Sequence, residues 1–334
     1  MDLIRLPPIH SSMINLSTLP FRGAPYPHES GMGFALRMSN VNGLNGLYWL
    51  YKLLNREKLN HFLPEDIPAI ATLFGCDADA LSEKFVHQEH HEGDVSYSAH
   101  MHTINRHYLL RHLRPQLCPV CISEFGYTRS VWDFSLIGAC HFHQCVLIDE
   151  CPNCAKRIQW ARPSLQSCTC GFLWHQTKLQ RLDTSHPCIQ FSQVIDCQLQ
   201  PTCGIAFSET DAIPRFLTNL SLDVAFRIVW AFGIKTSDSD IVSTGVSRTI
   251  LRTHQARHFT ENAFRRLSRC LRGAMDQTST LTTQIHMPSL YKLVGELESP
   301  SDLNSVGLLL SCLGVSTQKN RMRWQHKFNQ LNLF

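Results

Sequence analysis

The cysteines carry the clearest chemistry in this chain. Four pairs of residues with metal-binding side chains follow one another between residues 118 and 170, each with a spacing that lets one tight turn aim both side chains at a single ion. Zinc favours four such ligands in a tetrahedron, so two pairs complete one site. The spacing predicts two structural zinc ions, held by Cys118, Cys121, Cys140, His143, Cys151, Cys154, Cys168 and Cys170.

Sequential pairing is the favoured grouping of these ligands. The first site then takes three cysteines and His143, and the second takes the last four cysteines, because each interval between partner pairs suits a small hairpin. A cross-braced arrangement and a set of buried, reduced cysteines remain alternatives, and His141 could replace His143. Both sites would be closed to a catalytic water. Apolar residues between the ligands are expected to form a small core, namely Phe125, Tyr127, Val131, Trp132, Phe134 and Leu136.

The remaining cysteines and a histidine cluster give weaker signals. Cys145 is left over and is interpreted as structural, and the gaps between Cys188, Cys197 and Cys203 do not make paired half-sites, so no third zinc is expected. The spacing of the histidine cluster matches neither zinc-protease helix pattern and predicts a solvated loop, made of His87, His90, His91 and Glu92.

Composition limits the class of protein. With 334 residues and 43% hydrophobic residues, the chain should form two or three domains and is not broadly disordered. No apolar stretch is long enough to cross a membrane, and no secretory signal is visible, which favours a reducing compartment and metal-bound cysteines. Seven thiolates and two zinc ions would lower the formal charge from +4 to about +1.

The N-terminal third should be mostly helical after an extended arm over residues 1–28. The pattern predicts one helix from Glu29-Ser30 to Asn42-Gly43 and another carrying Leu44 to Leu54 on one face. Two short helices follow, one ending at Gly75 and one capped by Asp77. Such a pair resembles a helix-turn-helix, although two helices of any small bundle would look the same.

The C-terminal half is predicted to be helical and locally basic. Expected helices include one ending at Gly233 and others over 259–271, 289–297 and 304–313. One segment carries seven arginines against the single acid Glu261, namely Arg248, Arg252, Arg257, Arg265, Arg266, Arg269 and Arg272, and a second basic group holds Lys319, Arg321, Arg323 and Lys327. Such density favours contact with nucleic-acid phosphates, but a solvated face or pairing with an acidic partner remains open.

The pattern as a whole resembles the TniQ family of transposition target-selection proteins, related to TnsD, over residues 20–180. The opening motif is Pro25-x-Pro27-x-Glu29-Ser30, with Arg37 in the helix that follows and Asn42-Gly43 closing that helix. The later motifs are Arg114, Cys118-Pro119-x-Cys121, Tyr127, Trp132, Cys140-x-x-His143, Leu147 and Cys151-Pro152-x-Cys154. The family often has a serine where this chain has Gly33. A short C-terminus favours the TniQ type over TnsD-like readers of a fixed site.

The resemblance implies a mainly α fold with small zinc-ribbon or zinc-finger modules. The expected layout is an N-terminal helix-turn-helix-like domain (1–110), a tandem zinc-binding region (111–180) and a C-terminal helical domain with the basic cluster (181–334). The resemblance implies a non-enzymatic adaptor in the bacterial cytoplasm, which docks as a homodimer on a crRNA-guided type I CRISPR effector complex (Cascade). The adaptor would recruit the AAA+ regulator TnsC and the transposase. It would contact target DNA only indirectly or through weak phosphate contacts. A sequence-specific DNA-binding protein that marks a fixed attachment site is the alternative. A zinc hydrolase is disfavoured, since no phosphate loop, nucleophile-elbow serine or zinc-protease motif is present.

Overall fold

A computed structural model describes residues 17–56, 61–91, 94–200, 207–209, 211–235, 251–272 and 278–315. Most described elements are helices, as expected, and the strands are short. Several predicted features lie outside the described residues, namely the first part of the arm, Glu92, Cys203, Arg248 and the second basic group.

The N-terminal part contains four helices and a three-stranded antiparallel sheet. The elements are α1 (Gly31–Val41), α2 (Tyr48–Leu53), α3 (Ile67–Phe74), α4 (Ala78–Ser82), β1 (Val86–His91), β2 (Asp94–Ala99) and β3 (His102–Ile104), with the strands in the order β1-β2-β3. Residues 17–28, the described part of the predicted arm, contain no helix.

Helix α1 lies where the sequence predicts it, whereas α2 is shorter than expected. α1 begins after Ser30 and ends at Asn42, beyond which Gly43 takes a positive φ of 72°. The second pattern starts at Leu44, but Gly46 also has a positive φ and its Cα faces the carbonyl oxygen of Arg162. A glycine is needed at this close backbone contact, so the helix begins only at Tyr48.

The predicted pair of short helices is present. Gly75 ends α3 in the left-handed conformation, and the Asp77 side chain accepts the backbone N–H of Ala80 at 2.8 Å to cap α4. α4 is only five residues long. A DNA-binding role for the pair stays a prediction.

The prediction of a solvated loop at the histidine cluster is wrong. His87 and His90 lie on β1, which pairs along its length with β2 in an antiparallel hairpin. The His87 ring stacks on Phe85 with centroids 6.1 Å apart, and burial lowers its pKa. Hairpin pairing, which local spacing does not reveal, explains the difference.

The central region has little regular structure. Its elements are α5 (Pro119–Glu124), the two-residue strands β4 (Ala139–Cys140) and β5 (Cys145–Val146), and short 3-10 helices. Four of the six residues expected in a core are buried, namely Val131, Trp132, Phe134 and Leu136. Phe125 is instead exposed and Tyr127 is half-buried, so the prediction was wrong for these two rings.

The C-terminal part is a bundle of helices. They are α6 (Pro187–Leu199), α7 (Ala212–Thr218), α8 (Leu222–Gly233), α9 (Thr253–Leu271), α10 (Thr278–Gln284), α11 (Met287–Glu296) and α12 (Pro300–Cys312). α8 matches its predicted end, whereas α9 begins six residues and α12 four residues earlier than expected. The Ser299 side chain, an N-cap acceptor, explains the earlier start of α12.

One hydrophobic cluster runs through all three parts, from Met32 to Leu313. Buried polar contacts join the central region to the start of α9: Arg111 pairs with Asp149, which also accepts the backbone N–H of Thr253 at 3.1 Å. The Thr253 hydroxyl donates to Gln116 at 3.0 Å. The metal-ligand region is therefore packed into the body of the fold.

Within the described residues, no helix has both the length and the apolar character needed to cross a membrane.

A substitution at Gly233 tests the close packing of α8 on α9. A Cβ at this position would lie within van der Waals overlap of the Phe259 carbonyl, which is backbone and cannot rotate away. We expect Gly233→Ala to destabilise the protein by about 1–3 kcal/mol in chemical denaturation, although alanine is otherwise the better helix former. Asn304→Ala on the exposed face of α12 is the control and should change stability by less than about 0.5 kcal/mol. An unchanged midpoint for Gly233→Ala would contradict this packing.

Candidate metal centres

The ligand atoms of the first predicted site lie together. Those of Cys118, Cys121, Cys140 and His143 are all within 4.8 Å of one another. The Cys121 and Cys140 sulfurs are 3.6 Å apart, and the Nδ1 atom of His143 lies 3.1 Å from Cys121 and 3.5 Å from Cys118. Ligands about 2.3 Å from an ion at tetrahedral angles are about 3.8 Å apart, so the group can hold zinc.

Short turns place these ligands. Cys118 is the N-cap of α5, and Pro119 at the first helical position brings Cys121 one turn later onto the same side. Cys140 ends β4, and Gln144 has a positive φ of 47° in the turn that leads to β5. The turn between the two strands carries His143.

The hydrogen bond of His143 fits a metal ligand. Its Nε2 donates to the Glu124 carboxylate at 2.8 Å, which leaves Nδ1 unprotonated and facing the three sulfurs. A carboxylate on the far nitrogen fixes the tautomer and orientation of many zinc-bound histidines. His141, the alternative ligand, points elsewhere, with its Nδ1 3.2 Å from the Ser192 hydroxyl.

The second predicted site is also assembled, from Cys151, Cys154, Cys168 and Cys170. The Cys151 and Cys170 sulfurs are 3.7 Å apart, and the Cys154 and Cys168 sulfurs are 3.8 Å apart. Positive φ angles at Ala155 and Gly171 close the turn that follows each pair. The described residues therefore form the sequential grouping and not the cross-braced one.

A buried arginine supports a metal at the second site. Arg162 is 2% exposed, and its Nε and one terminal nitrogen have no hydrogen-bond partner among the described residues. Burial lowers its pKa to about 9, and the group that opposes this is Cys168. Four thiolates around a divalent ion carry a net charge of −2, which would supply the missing counter-charge for the guanidinium.

Cys145 lies beside the first site without completing it. Its sulfur is fully buried and 3.5 Å from that of Cys118, where it can donate a weak S–H bond to a thiolate. Cys145 stands outside the group of four whose ligand atoms are all mutually close. It fits a supporting role, as expected for a structural cysteine.

A third cluster, of His186, Cys188 and Glu261, has a simpler explanation than a metal. The Nδ1 atom of His186 accepts the Cys188 backbone N–H at 3.2 Å, and its Nε2 lies 3.4 Å from Glu261. Glu261 also pairs with Arg257, and burial raises the pKa of the Cys188 thiol. Since both ring nitrogens are engaged, we assign no ion there.

Both assembled sites are closed, because protein side chains fill all four positions. A zinc ion held in this way stabilises a fold and leaves no position for a reacting water. The chemistry available to these centres is therefore structural.

The arginines of the predicted cluster fall into two groups in the structure, one paired or buried and one exposed. Arg252 pairs with Glu150, Arg257 pairs with Glu261, and buried Arg266 donates to the carbonyl of Phe232. Arg265, Arg269 and Arg272 are exposed on the last turns of α9, at spacings that place them on one face. These three, which we name the arginine stripe, remain as candidate contacts for nucleic acid or an acidic partner.

The sequence pattern does not predict the roles of Arg129, Arg162 and Glu124 beside these sites. The pattern Cys140-x-x-His143 could have suggested an acid such as Glu124, because zinc-bound histidines usually have one. No local signal shows that Arg129 and Arg162 are buried without an acid.

Residues 20–147 match the family model TniQ. This span of the chain includes all four ligands of the first site. The curated proteins contain no match.

Metal content tests the first centre. We expect the purified chain to hold two zinc ions and Cys118→Ser to hold one, because loss of one thiolate opens a tetrahedral site. Elemental analysis of the folded protein measures both. Cys145→Ser is the matched control and should keep two ions. A wild-type chain that keeps its circular dichroism spectrum and melting temperature after chelation would contradict a structural role.

Arg162→Met tests the second centre. Methionine keeps much of the volume but removes the charge that faces the tetrathiolate, so zinc should leave the second site about tenfold faster in a chelator competition. The control is Arg157→Met, a half-buried arginine in the same segment that lies 3.7 Å from Asp149. Equal release rates from both variants would count against an electrostatic role for Arg162.

Proposed function

We propose, from the TniQ domain at residues 20–147 and the TniQ family membership it supports, that this chain is a target-selection adaptor of transposition. In this proposal it docks as a homodimer on a crRNA-guided type I CRISPR effector complex and recruits TnsC and, through it, the transposase. The guide would then read the target sequence by base pairing, and the adaptor would carry no sequence code of its own.

The domain match is the observation that carries the proposal. The closed metal centres agree with it, since an adaptor needs rigid surfaces and not an open coordination position. We accordingly propose that the chain is not an enzyme and that it works in the bacterial cytoplasm.

The arginine stripe supports contact with phosphates of the guide RNA or of target DNA. Arg265 forms a 3.0 Å hydrogen bond with Asn262, one turn away, and all three side chains are exposed. Three cations can replace only a few counterions on nucleic acid. The stripe therefore favours an auxiliary contact over independent binding to duplex DNA.

A fixed-site DNA reader is the second candidate, and the α3–α4 pair is the observation that favours it. Its second helix has only five residues and is surrounded by the exposed acids Asp77, Asp79 and Glu83. A recognition helix enters the major groove between two phosphate backbones, which such acids would repel. The adaptor is therefore the better-supported function.

Binding measurements separate the two functions. We expect the purified chain to bind the guide-loaded effector complex or TnsC, and to bind duplex DNA weakly and without sequence preference. Replacing the arginine stripe with alanine (Arg265→Ala, Arg269→Ala and Arg272→Ala together) removes three positive charges. The number of counterions released on nucleic-acid binding, measured from the fall of affinity with salt, should then decrease by about one to three. Tight binding to one duplex, with each mismatch costing about 1–3 kcal/mol, would instead establish the fixed-site reader.

A further inference from the structure

Four aromatic side chains form a continuous surface next to the first metal centre. Tyr26, Phe125 and Phe142 are each more than 40% exposed, and Tyr127 is half-buried between them. The ring centroids of Tyr26 and Tyr127 are 5.1 Å apart, and those of Tyr127 and Phe125 are 6.3 Å apart. We name these four rings, together with Arg129, the aromatic patch.

Arg129 lies at the centre of the aromatic patch. Its guanidinium carbon is 3.6 Å from the ring centroid of Phe142, 5.2 Å from that of Phe125 and 5.5 Å from that of Tyr127. The negative faces of the rings stabilise the cation and hold it in place. A fixed, flat cation under exposed rings resembles the centre of a protein interface.

The charge of Arg129 has no partner in the part of the chain that is described. The residue is 4% exposed, its Nε is buried without a hydrogen bond, and no described acid forms an ion pair with it. The neighbouring Arg37 differs, because it makes a two-pronged ion pair with the buried Glu29. A carboxylate from outside would be complementary to Arg129.

The metal centre and the N-terminal arm together build the aromatic patch. Phe142 lies between the ligands Cys140 and His143, and Phe125 follows α5, whose N-cap is the ligand Cys118. On the other side, the backbone of Glu29 forms a β-bridge to Arg129 and brings Tyr26 against Tyr127. Zinc binding would thus fix the relative positions of rings from three separate segments.

We propose that the aromatic patch docks a segment of a partner protein that presents an apolar side chain beside a carboxylate. The apolar side chain would cover Tyr26 and Phe125, and the carboxylate would approach Arg129. This inference rests on the proposed adaptor function. A protein fits better than nucleic acid, because Arg37 is already neutralised by Glu29 and the single cation Arg129 can replace few of the counterions on a nucleic-acid backbone.

The test uses the full chain with Tyr26→Ala and Phe125→Ala together, since both rings are exposed enough for the fold to tolerate their loss. The matched control is Tyr48→Ala, which removes a 53% exposed ring outside the aromatic patch. Zinc content and circular dichroism verify that each variant is folded. Affinity is measured for the guide-loaded effector complex, for TnsC, and for single-stranded and duplex oligonucleotides.

The double variant should bind one of the two protein partners about 30-fold more weakly, with the control unchanged. Wild-type affinity of the double variant for both protein partners, or a loss confined to oligonucleotides, would overturn the inference.

If the wild-type chain binds neither protein partner, the adaptor function fails and a second probe decides the docking inference. A display library of random twelve-residue peptides is selected on the wild-type chain and counter-selected on the double variant. Enrichment of peptides that join an aromatic or aliphatic residue to Asp or Glu supports the aromatic patch as a docking site. Absence of such enrichment overturns it.

Discussion

The convergence of paired cysteines and one histidine into two groups that can each hold a metal ion is the constraint on which the rest of this structure depends. Between residues 111 and 180 the chain has one six-residue α-helix, two short 3-10 helices and two strands of two residues each, too little regular structure to fix its own path. The ligand pairs bring distant turns together, and other segments then pack on the result. The N-terminal arm forms a β-bridge at Arg129, and the start of α9 is bound through Asp149 and Gln116. Without bound ions, only the packing against these segments would keep the clustered thiol groups together.

With a divalent ion bound, the two centres have different net charges, and the charged side chain beside each centre differs accordingly. Three thiolates and a neutral histidine around a divalent ion carry −1, and the first site has a carboxylate on its histidine. Four thiolates carry −2, and the second site has the buried, incompletely bonded Arg162 nearby. A cation in this position would offset part of the negative charge of a tetrathiolate centre. With seven thiolates and two zinc ions bound, the whole chain would be nearly neutral, which agrees with the proposed adaptor better than with an independent DNA binder.

The sequence predicted those features of the fold that depend on neighbouring residues alone. Ligand spacing placed two sites within turns and short hairpins, and apolar periodicity located α1 and α8. Long-range contacts decided the rest. Gly46 packs against the backbone of Arg162, over a hundred residues away in sequence, and shortens α2. Phe125 was expected in a core but is exposed, because the turn after α5 directs it to the surface beside Arg129. Spacing alone shows neither which charges become buried nor which rings remain outside.

X-ray absorption at the zinc edge of the purified protein tests the central claim most directly, because it reports the ligands themselves. Seven sulfurs and one nitrogen shared between two ions predict an average of 3.5 sulfur and 0.5 nitrogen ligands per zinc, with sulfur at about 2.3 Å and no oxygen. A fit that requires an oxygen ligand, or clearly fewer than three sulfurs per zinc, would contradict two closed structural centres and reopen a catalytic role for the metal.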